Sequence, residues 1–274
     1  MSHTRVLYIY TYLENRGLEC GVGSDSDMDS ARRIVGRAAQ GNPANRFESV
    51  VLELDEDGDT SASNVRTVVK TQYLPDDTQS IVSENNSPDL NFRYSLNPYR
   101  GCEHGCSYCY ARTYHEFLGM SGGLDFETKI LYKPHADKLF RAWLNRRKEP
   151  CEPVSFSGGT DCYQPAEKEF QLTRRCLSVA LECHQPITIV TKNSLVLRDM
   201  DILTKLAEAD LVHVNISLTS LDQQLIRNME PRTSAPKARL RAIETLVNHH
   251  VPTRALLSPI IPGLNDHEIP RLVE

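Results

Sequence analysis

Three closely spaced cysteines, Cys102, Cys106 and Cys109, are the residues of this chain best suited to chemistry. A cubane 4Fe–4S cluster takes one outer ligand on each iron, normally a thiolate. A loop with this set of cysteines leaves one iron without a protein ligand, and an open metal position can bind a substrate or a cofactor. Clusters that only transfer electrons are normally closed by a fourth cysteine. The spacing therefore favours a cluster that takes part in a reaction.

A structural zinc ion is the alternative occupant of this loop, with His104 as a fourth ligand beside the cysteines. Zinc sites usually pair two short Cys/His units across a longer gap, and no second unit is evident in the sequence. His104 also lies inside the loop, where the backbone would have to fold back sharply. Tyr108 and Tyr110 favour the cluster, because their rings could exclude solvent beside it. Spacing alone leaves both alternatives open.

The composition predicts a globular protein of a reducing compartment. The chain has 274 residues, of which 40% are hydrophobic, enough to bury a sizeable core in one large domain or two small ones. A net charge of −5 gives no sign of a globally basic nucleic-acid binder. Eight cysteines without a secretory signal predict a cytoplasmic protein. Residues 6–13 are apolar but too short to span a bilayer, so no membrane association is expected.

The sequence pattern divides the chain into two parts. Residues 1–90 include an aperiodic stretch at 14–40 and an acidic run at 52–59, which predict a partly disordered, irregular N-terminal arm with a short strand at 65–69. From residue 91 to 274, predicted strands alternate with predicted helices. Such alternation indicates an α/β fold in which about five parallel strands form a barrel or an open sheet.

Polar or glycine-rich residues end several of these strands, where the active sites of such folds gather. Each has an ordinary structural explanation: a tight turn for glycines, a solvated surface for a lysine, and a strand-end cap for a serine. The residues concerned are Ser157, Gly158, Gly159, Lys192 and Ser217.

Strands are predicted at 154–157, 187–191, 211–218 and 253–261, with β-branched runs in the second and third. A helix is predicted over 166–183, with one stripe formed by Leu172, Cys176, Val179 and Cys183. In the helix that begins near Pro236, Leu240, Ile243 and Val247 share a face.

The cysteine loop resembles the signature of radical SAM enzymes, CxxxCxxC with an aromatic residue before the third cysteine, here Tyr108. In that family the open iron chelates S-adenosylmethionine, and one electron from the cluster cleaves it to a 5'-deoxyadenosyl radical. The resemblance implies a 4Fe–4S cluster on Cys102, Cys106 and Cys109, and S-adenosylmethionine as the second cofactor. The cofactors would carry the chemistry, while the protein supplies orientation and excludes water.

Further segments resemble the spore photoproduct lyase-related, or DNA repair photolyase-like, branch of that family. They are residues 159–167, 230–233 and 259–266, with residues 42–48 similar to one uncharacterised subgroup. The resemblance implies a partial (β/α) barrel of the radical SAM type, with the last strand and the C-terminal cover missing from this chain. Spore photoproduct lyases reverse a thymine dimer in DNA, but family membership does not carry that activity across.

The resemblance also implies positions for the second cofactor. A glycine-rich motif at the end of the second strand binds the methionine amino group in this family, and Ser157, Gly158 and Gly159 fall at that place. Lys192 would pair with the cofactor carboxylate, where a point charge suffices. Ser217 would bond the same group or the ribose. Tyr108 and Tyr110 would lie beside the bound cofactors.

Other predictions concern the radical step and the partners. Cys151 and Cys162 lie near strand ends and are candidate hydrogen-atom donors, although most cysteines in such places are inert. Arg232 either belongs to an exposed turn with a surface ion pair or reaches the cofactor or an anionic substrate. Basic runs at 141–148 and 237–241 are either solvated helix faces or tracks for phosphates. We expect a monomer that takes electrons from a small reductase or flavodoxin-type donor, with nucleic acid as the expected substrate.

Overall fold

The structure is a computed structural model. The acidic run at 52–59, most of the strand predicted at 65–69 and most of the predicted N-terminal arm lie outside the residues that it describes, so the predicted disorder stays a prediction. The described residues are 34–47, 68–88, 90, 92–147 and 151–274. Within them, no helix is long and apolar enough to cross a membrane.

Short strands and helices alternate along most of the described chain. The strands are β1 (Gln72–Pro75), β2 (Val82–Glu84), β3 (Tyr94–Leu96), β4 (Tyr99–Arg100), β5 (Lys129–Tyr132), β6 (Val154–Phe156), β7 (Ile187–Thr191), β8 (Val212–Ser217) and β9 (Thr253–Leu256). The α-helices are α1 (Thr113–Glu116), α2 (Leu124–Thr128), α3 (Ala136–Arg146), α4 (Glu167–Phe170), α5 (Leu172–Glu182), α6 (Met200–Glu208), α7 (Gln223–Met229), α8 (Pro236–Asn248) and α9 (Ile269–Val273). Turns of 3-10 helix occupy Tyr110–Arg112, Ser194–Asp199 and Asp266–Glu268.

The main sheet has the strand order β2-β3-β6-β7-β8-β9. From β3 to β9 every neighbouring pair is parallel, and β2 adds an antiparallel edge to β3. The α/β prediction is thus confirmed, with strands at the predicted places. The described strands form an open sheet, and the partial barrel stays a prediction. Because the strands are parallel, their carboxyl ends meet at one edge, which is where the predicted site residues follow them.

A second, three-stranded sheet has the order β1-β5-β4. In it β1 runs parallel to β5, while β4 pairs antiparallel with the same strand. Strands β1 and β2 both precede residue 91, so both sheets extend across the predicted domain boundary. The small sheet matters for the site because β4 leads directly into the cysteine loop.

One apolar core lies between the main sheet and its helices. The predicted stripe of α5 packs there through Leu172, Cys176 and Val179. Helix α8 differs from its prediction, because Leu240 is 43% exposed while Arg239 is fully buried. Burying an arginine is tolerated only with a partner, and that partner, Glu230, belongs to the site.

Candidate cluster and cofactor site

The cysteine loop is a compact turn of backbone between β4 and the 3-10 helix at Tyr110–Arg112. The N–H of Gly105 donates to the carbonyl of Cys102 at 3.3 Å, and the N–H of Cys109 to that of Cys106 at 3.3 Å. Gly105 has a φ of +63°, and a Cβ there would lie 2.7 Å from Oε2 of Glu127, so glycine is required twice over. All three loop cysteines are free thiols.

The thiols of this loop suit metal ligation. Cys102 and Cys106 are buried and Cys109 is half-buried. Burial raises the pKa of the Cys102 thiol well above its usual range and raises the pKa of Cys106 to about 12. A thiolate in such a place needs a cation, and a coordinated metal deprotonates its thiol ligand outright. The donor set therefore fits the cysteine ligands of an iron–sulfur cluster.

His104 is turned away from the role of a fourth ligand. The side chain is 1% exposed, and its Nε2 lies 3.2 Å from Nδ2 of Asn193. Its Nδ1 lies 3.2 Å from Oδ2 of Asp161, within ion-pair range but outside hydrogen-bond geometry. In the described part of the chain, no three His, Cys, Asp or Glu side chains converge as ligands of a single metal ion. His104 instead joins the cysteine loop to the ends of β6 and β7.

Asp161, which lies within ion-pair distance of His104, accepts several hydrogen bonds of its own. Its carboxylate takes N–H donors from Lys192 and Tyr163, each at 2.8 Å, and the hydroxyl of Thr191 at 2.8 Å. Burial alone would raise its pKa, but His104 and these hydrogen bonds outweigh burial and lower the pKa to about 2. Asp161 is thus a fixed anion that holds the two strand ends and the loop together.

The glycine-rich turn after β6 is held by Asn97, a residue that the sequence reasoning missed. Oδ1 of Asn97 accepts the N–H of Gly159 at 2.7 Å and that of Thr160 at 3.3 Å. A Cβ on Gly158 would lie 2.5 Å from Cβ of Ser95, whereas a Cβ on Gly159 would meet only Asn97, at 3.6 Å or more. Packing therefore explains Gly158, while Gly159 leaves open backbone that a ligand can approach.

Two tyrosines of the loop reach the neighbouring elements. The Tyr110 hydroxyl donates to the carbonyl of Gly158 at 2.8 Å, although the side chain is mostly exposed. Tyr108 donates to the carboxylate of Glu230, and Nζ of Lys192 lies 5.9 Å from its ring centroid. The structure thus brings both tyrosines against the predicted cofactor residues.

At the same edge, the Lys192 ammonium has no ion pair and the Ser217 hydroxyl has no hydrogen bond among the described residues. No carboxylate of the described residues lies within ion-pair distance of the Lys192 ammonium. Ser217 ends β8, and its hydroxyl makes no hydrogen bond within the described chain, while its carbonyl accepts Nη1 of Arg239 at 3.0 Å. A cation and a hydroxyl without partners beside a metal-ligating loop can bind a polar, anionic ligand.

The sequence model of the radical SAM superfamily matches residues 96–274, which include the cysteine loop and all these strand ends. The chain belongs to the radical SAM superfamily. Members of this superfamily use a 4Fe–4S cluster and S-adenosylmethionine, so the cofactor prediction is confirmed at the level of the family.

Curated relatives extend beyond one lineage. The uncharacterised protein Rv2578c of Mycobacterium tuberculosis is 34% identical over 181 residues, which are 66% of this chain and 53% of the relative. The uncharacterised protein MJ0683 of Methanocaldococcus jannaschii is 30% identical over 176 residues, 64% of this chain and 63% of the relative. The chain therefore spans between about half and two thirds of the length of these relatives.

Solved structures show the same fold. Spore photoproduct lyase complexed with dinucleoside spore photoproduct aligns with a TM-score of 0.52 at 18% identity, over 72% of this chain and 52% of that one. A double mutant of spore photoproduct lyase with bound AdoMet and dinucleoside spore photoproduct aligns with a TM-score of 0.50 at 18% identity, over 70% and 51%. This radical SAM protein thus shares a fold with a lyase that binds AdoMet.

The two candidate hydrogen-atom donors differ in their surroundings. Cys162 is fully buried in the main core, which is compatible with its alternative as an inert thiol. Cys151 is exposed at the amino end of β6, the edge opposite to the loop, where its thiol faces Oε1 of Gln185 at 3.5 Å. The structure supplies no support for either thiol as a donor.

The segment 230–233 corrects two predictions. Glu230 is 1% exposed and ion-paired with the buried Arg239, so Arg239 cannot track phosphates. Arg232 lies in a turn with an ion pair, as one alternative predicted, but the pair is not a surface one, because its partner at 3.0 Å is the buried Glu103. The sequence reasoning did not find Glu103 or Glu230 as parts of the site, because Glu103 pairs with Arg232, 129 residues away, and Glu230 accepts from Tyr108, 122 residues away.

Proposed function

We propose that this chain binds a 4Fe–4S cluster through Cys102, Cys106 and Cys109 and uses it to cleave S-adenosylmethionine reductively. The observation that carries the proposal is the meeting of the cysteine loop with the carboxyl ends of β6 and β7. That meeting is made by contacts of His104 with Asp161 and Asn193 and by the contact of Tyr110 with Gly158. The loop is thereby seated at the sheet edge where parallel α/β folds bind ligands.

The residues of this edge have separate tasks in the proposal. When bound, the cluster supplies the electron that cleaves the cofactor and releases a 5'-deoxyadenosyl radical. Lys192 pairs with the cofactor carboxylate, because no carboxylate of the described residues lies within ion-pair distance of its ammonium, although Glu230 and Asp161 are near enough to help raise its pKa against burial. Ser217 supplies a hydroxyl, and the backbone at Gly159 allows close approach. Tyr108 and Tyr110 cover the loop and limit the access of water.

Nucleic acid is the substrate class that we propose for the radical. The fold likeness to a lyase complexed with a dinucleoside supports it. A second support is a group of exposed aromatic side chains beside the loop, Tyr110, Tyr114 and Phe117, which are 67%, 52% and 67% exposed. Unpaired bases stack on such rings, and a base in a duplex would have to be flipped out to meet the radical.

The basic runs do not add to this support. Arg239 is buried, and Arg141 is ion-paired with Glu182. We expect salt-dependent binding of a single-stranded oligonucleotide that weakens in a Tyr114→Ala, Phe117→Ala double variant. No binding at low salt would exclude nucleic acid as the substrate.

The reaction also requires an electron donor, because each cleavage consumes one electron. We propose a small reductase or flavodoxin-type protein as the donor, a monomeric enzyme, and a cytoplasmic location. A reducing compartment protects both the free thiols and an oxygen-sensitive cluster.

Anaerobic reconstitution tests the proposed function. We expect about four irons and as many sulfides per chain, lost in a triple Cys102→Ala, Cys106→Ala, Cys109→Ala variant and retained in the control Cys151→Ala. Stoichiometric zinc without sulfide would contradict the proposal. Dithionite-dependent release of 5'-deoxyadenosine, together with a change of the cluster EPR signal on addition of S-adenosylmethionine, would establish the activity.

A further inference from the structure

A segment that precedes the superfamily match packs behind the cysteine loop. We name residues 37–45 the strap. The match begins at residue 96, so the strap is not part of what the superfamily model describes. It lies along residues 116–127, the chain that follows the loop.

The strap is bonded along its whole length. At its far end, Nδ2 of Asn45 donates to the carbonyl of Glu116 at 3.0 Å. In the middle, Asn42 exchanges two hydrogen bonds with Asp125, both at 2.9 Å. The carbonyl of Gly41 accepts the N–H of Leu124 at 3.0 Å. These contacts fix the path of the strap along residues 116–127.

The near end of the strap converges on Glu127. The carboxylate of Glu127 is fully buried and accepts the N–H groups of Ala38 at 3.2 Å and Ala39 at 2.9 Å. The guanidinium of Arg37 donates to the Glu127 carbonyl at 2.6 Å. A buried carboxylate is stable only if its lone pairs are satisfied. The strap therefore supplies part of what allows Glu127 to be buried.

Glu127 and Arg112 pass this support to the loop. Arg112 pairs with Glu127 at 2.6 Å and donates twice to the carbonyl of Cys106, at 3.1 and 3.0 Å. Glu127 also packs against Gly105, where a Cβ would lie 2.7 Å from its Oε2. One planar guanidinium thus holds the backbone of a cluster-ligating cysteine, a geometry that lysine cannot reproduce.

We propose that the strap is a positioning element that holds the cysteine loop in its cluster-binding shape through Glu127 and Arg112. The inference rests on the proposed function for the identity of the metal group, but the shape of the loop can be measured without it. Mutating a residue that hydrogen-bonds a metal ligand typically lowers metal affinity or activity by about 10- to 100-fold. Loss of the strap should therefore loosen the loop and speed the loss of iron.

A pair of glycine variants tests the strap without touching Arg112 or Glu127. A Cβ at Gly123 would lie 2.4 Å from the Gly41 carbonyl oxygen and 2.5 Å from Cδ of Pro43, so Gly123→Ala forces the strap away. Gly41→Ala is the matched control, because its Cβ meets no described atom within 4 Å. Asn42→Ala removes only the bonds to Asp125 and serves as a milder variant if Gly123→Ala folds poorly.

Hydrogen exchange of the metal-free chain is the first readout. We expect amides of residues 101–109 to exchange about tenfold faster in Gly123→Ala, and about fivefold faster in Asn42→Ala, than in the wild type and Gly41→Ala. Equal protection of the loop in all four proteins would overturn the proposal, whether or not a cluster binds.

Iron release from the reconstituted protein to a chelator, without oxygen, is the second readout. We expect release to be about tenfold faster in Gly123→Ala and in Arg112→Gln, with Arg112→Lys failing to restore the wild-type rate. Wild-type release rates in these variants would overturn the proposal. A wild type that holds a cluster but does not cleave S-adenosylmethionine would contradict the proposed function alone.

Discussion

The buried side of the cysteine loop and the strand-end edge beside it, which holds Lys192 and Ser217, differ in whether their polar groups have partners. On the buried side, three glutamates are each 1% exposed or less, and each is paired with an arginine. The pairs are Glu103 with Arg232, Glu127 with Arg112, and Glu230 with Arg239. At the strand-end edge, Lys192 is half-buried with no carboxylate within ion-pair distance in the described chain, and the buried Ser217 hydroxyl has no hydrogen bond there.

This difference separates the residues that hold the cysteine loop in place from those that can bind a cofactor. A buried ion pair contributes little net stability, but removing one partner is costly, so paired groups fix a geometry. Burial acts to lower the pKa of Lys192, but nearby Cys106, Glu230 and Asp161 outweigh it and raise that pKa, so the ammonium stays charged without a direct ion pair and a ligand carboxylate can still neutralise it. The loop is thus held from behind by satisfied charges, while the groups in front of it remain available to a cofactor.

The largest expected effect is the loss of a paired charge. Arg239→Met leaves the buried Glu230 carboxylate without its cation, and we expect the free energy of unfolding to fall by about 3–5 kcal/mol. Urea denaturation measures this loss. The control is Arg141→Met, which removes the exposed pair with Glu182 and should leave the urea midpoint unchanged. Equal midpoints for both variants would show that the buried pairs do not support the loop.

The two glycines after β6 should show the same contrast, with substitution of Gly158 lowering stability and substitution of Gly159 weakening cofactor binding. Gly158→Ala places a Cβ 2.5 Å from Cβ of Ser95 and should cost about 1–3 kcal/mol of stability through overpacking. Gly159→Ala meets only ordinary contacts and should leave stability within about 0.5 kcal/mol, yet weaken binding of S-adenosylmethionine. Thermal unfolding and equilibrium binding separate the two effects. If Gly159→Ala also lowered stability, both glycines would be needed for packing and Gly159 would not be distinguished by cofactor binding.

His115 makes the buried side sensitive to acid. Burial lowers its pKa to about 4, against the influence of the nearby Asp125, while Lys129 adds to the lowering. The folded state therefore keeps His115 neutral where the unfolded chain binds a proton, so stability is present above pH 6.5 and is lost as pH falls towards 4.

We expect this residue to contribute a loss of about 2 kcal/mol between pH 7 and pH 5. Urea titrations of the wild type and of His115→Gln at both pH values isolate the contribution, because the variant lacks the titrating ring. The same pH dependence in both proteins would assign the acid sensitivity to other groups.

The smallest effect on folding is expected at Lys192. Its ammonium has no ion-pair partner among the described residues, although Cys106, Glu230 and Asp161 raise its pKa against burial, so Lys192→Met should lower the free energy of unfolding by less than Arg239→Met does. A hydrogen bond to a charged group is worth about 1.5–3 kcal/mol, so binding of S-adenosylmethionine should weaken by about tenfold or more. Calorimetry with the reconstituted protein measures this change. Unchanged affinity would remove Lys192 from the cofactor site.

The sequence was sufficient for the parts that depend on local pattern. β-Branched runs predicted β7 and β8, and the helical stripe through Leu172 and Cys176 predicted the buried face of α5. Helix α8 begins at Pro236 as predicted and Ile243 packs against the core, but Leu240 of the same predicted face is exposed while Arg239 is buried. A periodicity rule counts hydrophobic residues and has no means to detect that Arg239 pairs with the carboxylate of Glu230, which lies outside the helix, nine residues before the arginine.

The cysteine spacing by itself determined the donor set, since Cys102, Cys106 and Cys109 lie within one turn of loop and need no other segment to be recognised. The strand-end positions of Gly159, Lys192 and Ser217 also followed from chain order, because parallel strands place their carboxyl ends at one edge. Only the tertiary structure decided which charges support the loop. The glutamates of the buried side meet arginines that are 9, 15 and 129 residues away, and a desolvated ion pair exists only when folding has brought its two partners together.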